Sequence, residues 1–336
     1  MTGPAAVAAS VERVLRAGDR FQQRHTVIGF PVGVIKKFGD DGAGKHAALL
    51  AYYGLFSVFP LMLLFVTLLG YALAGDPALQ ERLIQTAVAQ VPVFGPQIRA
   101  SVQSFQGSGA GLVIGLAGTL FGGLGVTQSA QDAMNAVWNV PRRIRPNYWF
   151  RLARGLLYLL LLAVAVGVGT VLSGLGTSRP GILGRIPPLA GAVLLNLVVF
   201  MVSFQLLTAK RVPWRRLLPG AASGALAWSV LQAAGVYIID RELERANVIY
   251  GAFAVVIGLL SWFYLSGQVV LFAAELNVVL ARRLWPRSLI QPPLTEPDTR
   301  VLTALARAEQ RLAEQTIDVS FTPDADADRP GDAHPK

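Results

Sequence analysis

Residues 251–280, GAFAVVIGLLSWFYLSGQVVLFAAELNVVL, form a run of thirty residues with one charge, Glu275. As a helix at roughly 1.5 Å per residue the run covers about 45 Å, more than the roughly 30 Å of a bilayer's hydrocarbon core. A chain with such a run has to put it in a membrane, tilted or protruding. Its polar residues are not scattered: Ser261, Gln268 and Glu275 recur every seven positions, with Tyr264 close to the same face. A helix surrounded by lipid has no need of that stripe, which is therefore expected to face protein or water.

The remaining sequence supports an all-α, polytopic membrane protein. Of its 336 residues, 53% are hydrophobic and only 15% charged, which excludes an ordinary soluble domain. The 34 glycines show no three-residue period and suit membrane helices. The absence of cysteine rules out disulfides and thiolate metal sites. Six spans are expected, at about 47–74, 111–130 (continuing as helix to Trp138), 155–176, 188–208, 217–239 and 251–280. Residues 1–46 read as a basic cytoplasmic or interfacial segment without a secretory signal. Residues 75–106 read as short amphipathic helices on the extracytoplasmic side. Residues 286–336 read as a cytoplasmic tail, with a weak helix at 297–315 and then disorder.

Orientation follows from charge. Of the 30 Lys and Arg residues, 24 fall on the side that holds both termini and 6 on the other, so both termini are expected in the cytoplasm. Placing the charges this way accounts for the net charge of +10 without nucleic acid as a partner. Membrane lipids remain as partners, and a second copy or an envelope protein as candidates.

Within the spans, Pro60 is expected to kink the first helix and free a carbonyl that Ser57 or a neighbour must satisfy. In the second, Gly111, Gly115, Gly118, Gly122, Gly125, Ser129, Asp132 and Ala136 line up as a small-residue seam that should be buried against another helix. GDDGAGKH at 39–46 approaches a phosphate-binding loop, but His46 stands where magnesium would need Ser or Thr, and a membrane helix follows; nucleotide binding is not expected there.

Of twenty acidic residues, only Asp132 and Glu275 fall on spans. Intramembrane acids cost about 2.5–3.5 kcal/mol at the midplane, so they require a partner or a role. Two readings stay open. In one, each acid pairs with a rim arginine such as Arg142, Arg143, Arg211 or Arg282 and fixes helix packing. In the other they belong to a cytoplasmic-side vestibule with Gln128, Asn135, Gln268 and Asn277. The motif VIGL occurs at 113–116 and 256–259; the same offset of 143 carries Asp132 onto Glu275, Gly115 onto Gly258 and Gly118 onto Ser261, as a parallel repeat would.

The stretch AALLAYYGLFSVFPLMLL, the Pro-containing link followed by PGAASGALAW, YGAF, Trp262 and AELN at 274–277 together resemble the YihY/BrkB family over roughly residues 25–285. The resemblance implies a six-span bacterial inner-membrane protein. Family members are described as candidate transporters, are linked to serum resistance and envelope lipids, and once carried a ribonuclease label. That label fails on the residues. His25, His46 and His334 are far apart in sequence, none lies in a span, and no HExxH or paired-carboxylate cluster supplies an acid and base or holds a metal. An intramembrane serine protease fails likewise, for want of a histidine in the spans. No catalytic, cofactor or metal residue is expected. The expected role is passage of a hydrophobic or amphipathic solute, lipid included, without an ATPase of its own; a membrane scaffold is the alternative and a lipid-modifying enzyme the third reading.

Overall fold

The computed structural model describes residues 4–72, 109–177, 182–250 and 252–322. Among them the chain is all helical: α1 Pro4–Arg24, α2 Thr26–Asp40, α3 Ala43–Ala72, α4 Gly109–Val137, α5 Tyr148–Thr177, α6 Ile182–Leu207, α7 Trp214–Tyr250, α8 Ala252–Arg282 and α9 Glu296–Ala308, with a 3-10 turn at Arg142–Ile144. Four stretches are long and apolar enough to cross a membrane: Tyr148–Gly169, Leu189–Leu207, Trp214–Gly235 and Val256–Arg282. The expected amphipathic segment at 75–106 lies outside the described residues.

Several element boundaries differ from expectation: α5 starts at Tyr148 rather than 155, and α6 at Ile182 rather than 188. α7 runs on past 239 to Tyr250, so the link before the last span is helical. The tail helix is Glu296–Ala308 rather than 297–315. Thr295 and Asp298 form a capping box that starts it. Past its end, the Gln310 carbonyl accepts from the Arg143 N–H at 3.1 Å, drawing the chain away from the helix axis.

The middle of the α4 small-residue seam, at Gly118, Gly122 and Gly125, packs against α3 as its spacing predicts, whereas Asp132 and Ala136 at its inner end do not. A Cβ on Gly118 would lie 2.7 Å from Pro60 Cβ, one on Gly122 2.9 Å from Ser57 Cα, and one on Gly125 2.5 Å from Tyr53 Cδ1. Backbones approach this closely only where side chains are missing. α3 continues unbroken through Pro60, whose ring seats over Gly118. The Ser57 hydroxyl donates to the Gly54 carbonyl at 2.8 Å, not to the Phe56 carbonyl that the missing Pro60 N–H would free.

A second close approach joins α7 and α8. The Gly220 N–H donates to Asn277 Oδ1 at 2.7 Å, and Gly224 sits against Phe200 and Ala273. The stretches PGAASGALAW and AELN are therefore two sides of one contact. Buried apolar side chains gather at the same end of the bundle, among them Met134, Val137, Phe204, Leu207, Leu217, Leu271 and Val278. Phe121, Leu160 and Phe253 are exposed on helix faces away from it, as lipid-facing residues would be.

The N-terminal segment and the tail fold onto each other at this end. Arg287 is buried; its Nε donates to Asp298 Oδ1 at 2.8 Å and an Nη to Asp40 Oδ2 at 2.7 Å. Lys36 reaches the Ser288 carbonyl and, at 3.2 Å, Asp298. From α1, Gln22 donates to the Arg287 carbonyl at 2.6 Å, and Asp19 accepts from the Leu289 N–H at 2.9 Å and the Ser288 hydroxyl at 3.2 Å. Burial alone would raise the Asp19 carboxyl; hydrogen bonds from Leu289, Gln22, Gln23 and Ser288 outweigh it and lower its pKa.

Asp298 shows the same contest. Burial pushes its carboxyl up, but the Thr295 hydroxyl, the Ser288 and Thr295 N–H groups and the Arg287 guanidinium bring it from 3.8 down to about 2. A carboxylate depressed on folding stabilises the fold above its unfolded pKa and loses that contribution as pH falls through the folded one. Asp298 should thus contribute about 2 kcal/mol at neutral pH, lost progressively between pH 3.8 and about 2. Trp285 emission followed during acid titration should report this step, and Asp298→Asn should remove it.

Candidate functional site

The turn between α2 and α3 is the stretch that imitates a phosphate loop. Gly42, with φ of +63°, allows the reversal, and the turn presents Asp40, Asp41 and His46 to a cleft of about 660 Å³. α4 adds Asp132 and Ala136. Asn139, in the left-handed conformation with φ of 46°, ends that helix, a position Asn tolerates better than most residues. The following loop supplies Arg142 and Arg145, the first turn of α5 supplies Arg151, and α9 closes the wall with Leu305, Ala308 and Glu309.

The cleft carries both signs of charge. Asp132, its side chain 42% exposed, pairs with Arg151 at 2.9 Å and Arg145 at 3.7 Å. Arg142 pairs with Glu309 at 3.2 Å across the mouth. Arg145 also donates to the Val140 carbonyl, at 3.3 Å from Nε and 3.2 Å from an Nη. Its pKa is lowered by burial first, with Asp132 opposing and the neighbouring Arg142 and Arg151 adding to the shift. Such a surface offers both donors and acceptors for charge-assisted hydrogen bonds. Among the described residues no group of three or more His, Asp or Glu side chains is placed to hold a metal ion.

Behind the cleft wall is a buried ionic cluster. Glu275 is fully buried, and its Oε2 lies 3.5 Å from Lys37 Nζ. Lys37 also pairs with Asp41 and donates to the Val137 carbonyl at 3.1 Å. Asn139 links this cluster to the last turn of α8: its Nδ2 donates to Asp41 at 3.1 Å, while its Oδ1 accepts from Arg282 at 3.3 Å. Arg282 donates in addition to the Trp138 carbonyl at 2.6 Å.

The predicted polar residues other than Glu275 divide among four places. Asp132 lines the cleft, and Gln128 adjoins it through its carbonyl, 3.5 Å from an Arg151 Nη. Asn135 is buried, its Oδ1 accepting from the Ala209 N–H at 2.8 Å, and Asn277 is committed to Gly220; both hold neighbouring backbone in place. Gln268 lines a separate apolar groove of about 370 Å³ with Ser223 and Val34. Ser261 is exposed on α8. The seven-residue stripe therefore does not share one environment, because helix positions seven apart drift around the axis and α8 changes neighbours along its length.

The two acids do not share a cavity either. Asp132 borders the cleft, whereas Glu275 lies behind Lys37 and Asp41. Glu275 is matched by a lysine from the basic N-terminal segment rather than a rim arginine, and Asp132 by Arg145 and Arg151. The positions related by the 143-residue offset differ in surroundings: Gly118 seats Pro60 where Ser261 is exposed, and Gly115 is buried where Gly258 meets nothing within 4 Å.

The profile of the virulence factor BrkB family matches residues 34–295. The chain belongs to the BrkB family. It is 29% identical to a UPF0761 membrane protein of Alkalilimnicola ehrlichii over 82% of this chain and 64% of the relative. It is 33% identical to a UPF0761 membrane protein of Laribacter hongkongensis over 75% and 61%. With the inner membrane protein YhjD of Escherichia coli K12 it shares 22% identity over 80% and 85%. The chain thus spans a little under two thirds of the length of the UPF0761 relatives it matches. No solved structure matches it. These are integral membrane proteins whose names carry no enzymatic activity. The BrkB match extends ten residues beyond the C-terminal limit read from sequence and takes in Arg287; it stops just before α9, so the Glu309 wall of the cleft lies outside it.

Proposed function

We propose that this BrkB-family chain crosses the bacterial inner membrane six times and moves an amphipathic, lipid-like solute through the charged cleft. α3 and α4 join the four apolar stretches as spans, giving a six-helix domain at 47–285 between the cytoplasmic segments 1–46 and 286–336. The packing of Asp19 and Gln22 on Arg287 to Leu289 supports an even number of crossings, since it brings the two flanking segments to one side. The positive-inside bias makes that side cytoplasmic. The cleft of about 660 Å³ lined by Asp132, Arg145 and Arg151 carries the reading, because its paired charges suit a polar headgroup. With no nucleotide motif, movement depends on a gradient, on an ion or on a partner. Anionic lipids, a second copy or an envelope protein are the partners in view.

Vesicles reconstituted with the protein and a fluorescent phospholipid test it. Exchange between leaflets should run at least roughly tenfold faster than in protein-free vesicles, and Asp132→Ala should slow it. Equal rates with folded protein would leave the second reading, a membrane scaffold, which the full pairing of Asp132 supports. Because the chain has no cysteine, single cysteines can map the water boundary. A water-soluble thiol reagent should label position 132 and spare position 275, whereas position 268 should react with a lipid-soluble reagent. Labelling at 275 would contradict the closed wall behind the cleft.

A further inference from the structure

The ionic cluster behind the cleft contains a group that no packing role accounts for. Glu275 is 0% exposed and neither carboxylate oxygen has a hydrogen bond. Lys37 stands 3.5 Å from it, but two of its three N–H donors go to Asp41 and the Val137 carbonyl and none makes a hydrogen bond to Glu275. An ionised carboxylate in a dry interior without a donor is costly, whereas a protonated one is neutral and brings its own.

The charged and titratable groups around the cluster are few. α2 presents Lys37, while Lys36 and Asp40 turn towards Asp298 and Arg287. The turn after α2 presents Asp41, and α3 places His46 on the cleft side. α4 presents carbonyls and Asn139, its Asp132 being held in the cleft by Arg145 and Arg151. α8 itself adds Arg282, one step removed through Asn139. From α7, Gly220 packs on Ala273 and Asn277, either side of Glu275 on α8, and does not titrate. Two carboxylates, Glu275 and Asp41, therefore compete for the one ammonium of Lys37.

We propose that Glu275 and Asp41 form a two-position proton site, with Lys37 pairing whichever carboxylate is ionised. In the first arrangement, the one whose Lys37–Asp41 pair the structure shows, the proton is on Glu275. In the alternative arrangement the proton has left a Glu275 oxygen and sits on Asp41, while Lys37 crosses to the Glu275 carboxylate. One O–H bond breaks, one forms, and the net charge of the three groups is unchanged. Asp41 is the carboxylate nearer the cleft, its side chain 1% exposed behind the cleft wall, so the proton's position changes the charge that lies beneath a bound headgroup. Coupling of this proton to solute movement rests on the transport reading; the site itself does not.

Infrared difference spectroscopy of the full chain in lipid nanodiscs, recorded across pH without solute, tests the site. A carbonyl stretch of a protonated carboxyl should titrate in the wild type and disappear in Glu275→Gln, which mimics the neutral acid and should fold. In Asp41→Asn, Lys37 has only Glu275 to pair, and the band should be lost at a proton concentration roughly tenfold higher. No such band in the folded wild type, its persistence in Glu275→Gln, or an unshifted titration in Asp41→Asn would each overturn the proposal. Loss of lipid movement with the band intact would count against the transport reading alone.

Discussion

Arg287→Leu is expected to unlatch the C-terminal segment, at a cost of about 4 kcal/mol. Arg287 is buried between two carboxylates from distant parts of the chain, Asp40 at the end of α2 and Asp298 in the first turn of α9. Leucine fills much of the volume but leaves Asp298 in a closed site with Lys36 as its remaining cation. The penalty is that of an inadequately compensated buried charge, which exceeds the net worth of the pair. Arg287→Leu with Asp298→Leu should therefore be less destabilised than Arg287→Leu alone, the signature of coupling in a double-mutant cycle. The contact at the other end of α9 sets the comparison. Arg142 and Glu309 are 51% and 58% exposed, and breaking that pair should cost under about 1 kcal/mol. Limited trypsin digestion in detergent measures both, since Arg300 and Arg307 are exposed but the helical backbone beside them can be cut only when α9 comes off its anchor and unfolds. Resistance of Arg287→Leu equal to wild type would mean that Val301 packing and the contacts from Asp19, Gln22 and Lys36 hold the segment without the Arg287 guanidinium.

The sequence carries the membrane architecture well because the forces behind it are local. Apolar length marks the spans, and the Gly118, Gly122 and Gly125 spacing marks the α4 face that packs on α3, since both are properties of one helix. The buried ionic chemistry depends on which helices meet. Lys37 belongs to a basic run that reads as interfacial, yet it becomes the partner of Glu275 from 238 positions away. One local signal exists: Gly29, Gly33, Val34 and Lys37 share the buried face of α2, and Asp41 follows Lys37 at i+4. Arg287 is similarly hidden, because among other juxtamembrane arginines it looks like an orientation signal. The spacing of Thr295 and Asp298 as a capping box is a local signal for a fixed helix there. The resemblance to Asp132 misleads for Glu275 because equal spacing within two helices says nothing about the helices they face.

Gly220→Ala should be the most damaging small change in the chain, costing about 4 kcal/mol through overpacking and a broken buried hydrogen bond. A methyl at this position would overlap the Ala273 carbonyl oxygen and the Asn277 side-chain amide. Backbone cannot move aside as a flexible side-chain tip can, so α7 and α8 must separate, and the bond from the Gly220 N–H to Asn277 Oδ1 separates with them. Asn277→Ala removes that bond without the clash and should cost less, about 1–3 kcal/mol, for an unsatisfied buried N–H. Gly224→Ala is intermediate, since its methyl meets the Phe200 ring at 2.7 Å and the Ala273 Cβ at 2.9 Å, and a ring can rotate. Gly258→Ala is the control on the same helix pair. Its methyl meets nothing within 4 Å, so helix propensity alone should leave it neutral or up to about 1 kcal/mol more stable. The folded fraction remaining after heating in detergent, read by size-exclusion chromatography, should rank Gly220→Ala lowest, then Gly224→Ala and Asn277→Ala, with Gly258→Ala at or above wild type. A Gly220→Ala protein that survives as well as wild type would require a looser contact between α7 and α8, and with it a different position for Glu275, two residues from Asn277 on the same turn.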